Sequence, residues 1–160
     1  MPFLMIYAEE ENTEGQKQKV SRDITLGVSR DFNIPEQAVR IIFQDLKADQ
    51  VSYRGWLKSG DEYKAVEAEV QNAHSPALLS LCLVVLYTEV GKTDEQYQAA
   101  AQDIAGAISK HCGLPEQAVR TVFQVVEENR IASGGLLESS PEYQAQKAAA
   151  LKAATENPHS

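Results

Sequence analysis

The chain has 160 residues, 43% of them apolar, and a formal charge of −8. That is enough for a real core but too acidic for the Lys- and Arg-driven capture of nucleic-acid phosphates, and the charge is spread along helix-like stretches as a solvated surface. Cys82 and Cys112 provide no disulfide framework. The start Met-Pro-Phe-Leu-Met-Ile-Tyr lacks the basic, long apolar pattern of a signal peptide, and Leu78 to Tyr87 falls short of a membrane span, so a cytoplasmic protein is expected.

Pro2 to Ala8 is short and apolar, is bounded by the polar run Glu9 to Asn12, and predicts a buried strand. Thr13 with Gln16 three residues on has the form of a capping box, which opens a helix. Val20, Ile24, Val28 and Phe32 then recur every fourth residue, placing them along one side of that helix. Pro35 biases its predecessor toward extended geometry and is expected to stop the helix. Val39 to Leu46 supplies a second strand. Gly55 permits a tight turn or hairpin, and Asp61 to Asn72 predicts a short extra helix.

The pattern then repeats. Asn33-Ile-Pro-Glu-Gln-Ala-Val-Arg-Ile-Ile-Phe-Gln44 returns as Gly113-Leu-Pro-Glu-Gln-Ala-Val-Arg-Thr-Val-Phe-Gln124, eighty positions later without a gap. Leu81 to Thr88 matches the first strand, and Thr93 with Gln96 matches the capping box. Ala100, Ile104, Ile108 and Cys112 form the helical stripe before Pro115, and Val119 to Val126 forms the second strand. Gly134 and Gly135 permit the hairpin, and Pro141 to Ala154, rich in Ala, Gln, Lys and Glu, predicts a closing helix.

Strand, long helix, strand predicts a parallel βαβ unit with a right-handed crossover. Two such units predict an α+β domain: a four-stranded sheet, two long helices on one face, and a short extra helix after each unit. The expected boundaries are residues 1–72 for the first unit, 73–80 for a linker and 81–160 for the second unit with its C-terminal helix. Units of this size are marginal alone, so both are expected to share one pseudo-symmetric domain and to pack against other chains.

Three features together resemble the tautomerase superfamily, in a fused, two-unit form of its 4-oxalocrotonate tautomerase branch. Proline follows the initiator Met. Pro-x-x-x-Val-Arg opens the second strand at Pro35 to Arg40 and again at Pro115 to Arg120. Gly91-Lys-Thr-Asp-Glu-Gln96 and Ile131-Ala-Ser-Gly-Gly135 are similar to the family's loop and hairpin segments. The resemblance covers roughly Pro2 to Gly55 and Cys82 to Gly135. It implies a homotrimer of fused chains and a small carboxylate-bearing substrate; no cofactor is expected, and the acidity and the short apolar runs noted above argue against a nucleic-acid or membrane partner.

It also implies an isomerase acting on enol or unsaturated 2-oxo acids. With Met1 removed, Pro2 would carry a free secondary amine. Terminal amines titrate near pH ~8, and burial or neighbouring cations lower that value, which suits a base that takes a proton and returns it elsewhere. By the same resemblance Arg40 and Arg120 would bind substrate carboxylates, and Lys92 stands in the loop where the family has an arginine and where the first unit has Asn12. Ile131 would line the pocket in place of an aromatic residue. Cys82 occupies the place of Pro2 but is reached through a peptide bond, so one working centre per chain is expected.

The same superfamily includes hydratases that dehalogenate unsaturated acids, and decarboxylases; both are alternatives, as is a catalytically silent oligomeric scaffold if Met1 is retained. His74, His111 and His159 share no metal-ligand spacing with each other or the cysteines. No metal site is expected, and His111 is expected near a helix C-terminus, where a cation is favoured.

Overall fold

The computed structural model describes residues 2–9, 12–73 and 81–156. Met1, most of the expected linker, His74 and His159 lie outside the described residues. The chain forms two compact units, Met1–Gln124 and Val125–Ser160.

In the first, β1 (Phe3–Glu9) leads into α1 (Glu14–Phe32) and back to β2 (Arg40–Leu46), and β5 (Cys82–Glu89) leads through α3 (Asp94–Cys112) to β6 (Val119–Val126). The sheet order is β2-β1-β5-β6. β1 and β2 are parallel, with Phe3 level with Arg40 and Glu9 with Leu46. β1 and β5 are antiparallel, with Phe3 level with Tyr87 and Ala8 with Cys82. That central pairing sets a pseudo-twofold between the two βαβ repeats, as the α+β reading requires. Between β2 and β5 come the hairpin β3 (Ser52–Tyr53) and β4 (Trp56–Leu57) and the helix α2 (Asp61–Ala73). Its turn residues Arg54 and Gly55 have φ of 51° and 88°, as a two-residue turn between twisted strands demands. Arg54 is there without the freedom of glycine, which the sequence did not predict.

The strand periodicity of two puts Leu4, Ile6 and Ala8 of β1 and Cys82, Val84 and Leu86 of β5 on one face. The helical stripes cover that face: Val20, Ile24, Val28 and Phe32 from α1, and Ala100, Ile104 and Ile108 from α3, are all buried in the same core. Cys112, expected in the stripe, is only half buried. Both long helices carry the reciprocal capping box at Thr13 and Thr93. They end at left-handed Asn33 and Gly113, two residues before the prolines assigned to stop them.

The glutamines of the capping boxes also join the repeats. Gln16 accepts from Thr13 N–H with Oε1 (2.8 Å) and donates from Nε2 to His111 O (3.0 Å) at the end of α3. Gln96 does the same with Thr93 N–H (3.0 Å) and Asp31 O (2.9 Å) at the end of α1. α1 and α3 therefore run antiparallel, and each start satisfies a terminal carbonyl that its neighbour would otherwise leave unpaired.

The second unit holds the hairpin β7 (Ala132–Ser133) and β8 (Leu136–Leu137) and the helix α4 (Pro141–Glu156). Its hub is Glu138, buried, which accepts from Ser133 Oγ (2.8 Å) and Tyr143 Oη (3.1 Å), while its carbonyl accepts from Gln144 Nε2 (2.6 Å).

Where the long helices touch, a Cβ on Gly27 would lie 2.4 Å from Asp103 Oδ2 and 2.8 Å from its Cβ, whereas one on Gly106 would meet only Glu116 Oε1 at 3.9 Å. Both are mid-helix glycines, for which alanine is intrinsically better by about 1 kcal/mol. Gly106→Ala is therefore expected to stabilise the fold, and Gly27→Ala to destabilise it by about 1–3 kcal/mol through overpacking. Denaturant unfolding of the two variants, which should move the midpoint in opposite directions, checks this.

Candidate active site

Pro2 heads β1 and is buried, on the face that the helices cover. Its carbonyl accepts from Arg40 N–H at 3.2 Å, which ties it to the start of β2. The antiparallel register brings the end of β5 alongside: one residue beyond the Phe3 and Tyr87 pair, Pro2 is level with Thr88, itself buried. The loop that leaves β5 carries Lys92, and α1 ends at the same edge. Lys92 Nζ donates to Phe32 O, the last carbonyl of α1, at 3.2 Å and sits 5.4 Å over the Phe32 ring.

Arg40 and Arg120 take the other face. Along β2, Ile41 and Phe43 pack on the core while Arg40, Ile42 and Gln44 are exposed; along β6, Val119 and Phe123 pack on the core while Arg120, Val122 and Gln124 are exposed. Arg40 Nη1 donates to Gln37 O and to Val39 O (3.1 Å). The open face is also apolar, with Ile42 at 44% and Val122 at 46% exposure. Within one chain, then, the fold gathers Pro2 and Lys92 at one edge and presents both arginine side chains from the opposite side of the sheet. Ile131 belongs to the second unit, half buried, its carbonyl accepting from Glu138 N–H at 2.8 Å.

Cys82, the counterpart of Pro2, is buried, and burial, with Cys112 adding to it, pushes its thiol up to about 12. It is neither a free amine nor a thiolate. Among the described residues no group of three His, Cys, Asp or Glu side chains could hold a metal ion.

The seam between α1 and α3 shows how far the repeats have diverged. On one side Asp23 Oδ2 pairs with His111 Nε2 (2.7 Å) and Lys110 Nζ (3.1 Å). His111 is in the last turn of α3, where a cation suits the helix dipole. Eighty positions away, Asp103 pairs with Arg30, but Asp31 stands where His111 would be. Arg30 Nε also reaches Asp31 Oδ1 (3.1 Å), while Asp31 Oδ2 is buried with no partner. The hydrogen bonds from His111 and Lys110 hold the Asp23 carboxyl below its ordinary value. Burial, and then the charge of Asp31, push Asp103 above it. The signal was present in the sequence, in the offset that aligns His111 with Asp31, but only the seam shows which carboxylate each one faces.

A family model described as "Tautomerase enzyme" matches residues 2–58. A probable tautomerase from Lactiplantibacillus plantarum is 31% identical over 52 residues, 32% of this chain and 81% of that protein. Among solved structures, a fused 4-OT determined as an asymmetric trimer is 18% identical, with 90% of this chain and 98% of that chain covered and a TM-score of 0.68. Native fused 4-OT is likewise 18% identical, over 88% and 98%, with a TM-score of 0.69. The chain belongs to the tautomerase family, is an isomerase, and shares its fold with fused 4-OT.

The two seam carboxylates link stability to pH with opposite sign. Asp23, whose folded value is depressed, contributes stability above pH ~4 that is lost as the pH falls through that lower value. Asp103, whose folded value is raised, contributes stability below pH ~4 that is lost as the pH climbs through the higher one. Asp23→Asn should therefore cost most at neutral pH and least near pH ~3, and Asp103→Asn should lessen the decline seen above pH ~4. Melting temperatures across that range check both.

Proposed function

We propose that this protein interconverts enol and keto forms of small carboxylate-bearing 2-oxo acids, with Pro2 as general base and then acid. The observation that carries the reading is the burial of Pro2 at the start of β1, level with the end of β5 whose following loop holds the cation Lys92. Once Met1 is removed, the secondary amine accepts the enol hydroxyl proton as the C–O bond becomes a carbonyl. The resulting prolinium returns a proton to carbon, so no hydrogen is gained or lost overall. Burial and a nearby ammonium both disfavour the protonated amine and tune it toward neutrality. The mechanism calls for no cofactor.

Lys92 would hold an anionic oxygen of the substrate beside Pro2. Arg40 and Arg120 offer the planar fork that suits a carboxylate, and since they project from the open sheet face they would serve a neighbouring chain's site. That argues for assembly through this face. We take the assembly to be a homotrimer, its acidic exterior keeping nucleic acid away in a cytoplasmic setting.

Two measurements test this. First, the intact mass should lack one Met, and Pro2→Ala should lower kcat/KM for ketonisation of 2-hydroxymuconate or phenylenolpyruvate by about 10²–10⁴-fold, the usual size of a general acid–base contribution. Retained Met1 would move the reading to a silent scaffold, and equal rates for the variant would remove Pro2 from the mechanism. Second, sedimentation should give a particle three times the 17.6 kDa chain, and Ile42→Asp together with Val122→Asp should reduce it to monomer. A wild-type monomer would sink the trimer.

A further inference from the structure

The two repeats differ together at a second pair of positions, and that pair meets in space. Lys92 in one half corresponds to Asn12 in the other, and Phe32, which Lys92 touches, corresponds to Cys112. Where the cation is present it has an aromatic platform; where it is absent, so is the ring.

The geometry points to Phe32 as a positioning residue that fixes the Lys92 ammonium beside Pro2 for anion binding, its carbonyl taking one N–H and its ring face stabilising the charge. This rests on the tautomerase reading of Pro2 and Lys92 given above. An ammonium has three donors, and one spent on Phe32 O at 3.2 Å leaves two for a substrate oxygen. The contact of 5.4 Å with the ring lies within cation–π range. The carbonyl is the last of α1, at the negative end of its dipole, so it favours a cation as well.

The platform itself is rigid. Phe32 is 2% exposed and meets Tyr97 edge-on at 6.0 Å, and Tyr97 meets Phe123 at 4.8 Å. A free lysine loses considerable rotamer entropy when a ligand immobilises it; here that loss is incurred on folding, before substrate arrives. In the other half, Lys17, the counterpart of Tyr97, sits 5.9 Å over the Phe43 ring and is paired with Asp45 at 2.6 Å, so its charge is already neutralised. Lys17 therefore offers no equivalent anion subsite in the other half, and the proposed one falls with Lys92.

The test is a double-mutant cycle read in steady-state kinetics on 2-hydroxymuconate. Phe32→Leu should raise KM about three- to fivefold with kcat little changed, the size expected for a lost cation–π contact. In the Lys92→Ala background it should add nothing further, and Lys92→Arg should restore most of the affinity. A rise in KM that persists undiminished in that background means Phe32 acts by packing alone and overturns the proposal. If instead Pro2→Ala leaves the rate unchanged, the role given to Pro2 itself fails, which is a different result. Should Phe32→Leu not fold, the Lys92 15Nζ signal of the wild-type protein decides: slow exchange and a ring-current shift support the platform, and a signal averaged with bulk lysines removes it.

Discussion

Everything in this molecule depends on the antiparallel pairing of β1 with β5. Each βαβ repeat has an apolar helix face and one apolar strand face, too little to close a core alone. Pairing the two first strands in opposite directions rotates one repeat onto the other, so that Leu4, Ile6, Val84 and Leu86 form a continuous floor beneath both helices. It also runs α1 and α3 in opposite directions. The start of each then reaches the end of the other, and the capping-box glutamines satisfy carbonyls in the opposite repeat. A motif that normally serves only its own helix here also holds the duplication together.

The same pairing determines where chemistry can occur. Because β1 and β5 are antiparallel, the first residue of one repeat faces the loop that leaves the first strand of the other. Pro2 is consequently level with the end of β5, from which the Lys92 loop of the second repeat leaves, while Asn12 follows the far end of its own strand. A duplication with a twofold would give two such edges, and the sequence makes them different: at the second, the residue in place of proline is an internal cysteine whose thiol is pushed up by burial, the residue in place of lysine is asparagine, and the residue in place of phenylalanine is a half-buried cysteine.

Much of the fold was legible because it rests on period and punctuation. Val20, Ile24, Val28 and Phe32 are all buried as their spacing predicts, and Thr13 with Gln16 closes its capping box. Less legible was anything that needs the second repeat to be in place. Gly27 carries no local signal of its role, which is to leave the gap into which Asp103 fits. Lys92 reads as a loop cation, and its anchor on Phe32 is invisible because the two are sixty residues apart in sequence. The helix stops were misplaced for a local reason: left-handed Asn33 and Gly113 end the helices before either proline can act.

The division of charge between the two faces of the sheet has a consequence for assembly. Arginine side chains cannot be buried without partners at acceptable cost, and Arg40 and Arg120 stand among Ile42 and Val122, which gain by leaving water. Covering the apolar residues would therefore also desolvate the guanidinium groups unless an acceptor meets them there. The carboxylate-bearing substrate proposed above would supply that acceptor on binding, and in a low-dielectric seam its attraction to the arginines would be stronger than at an open surface. Burial of the open face and recognition of the anion are in this sense one physical problem, and the alternation of Arg40 with Ile42 and of Arg120 with Val122 along the strands is suited to both.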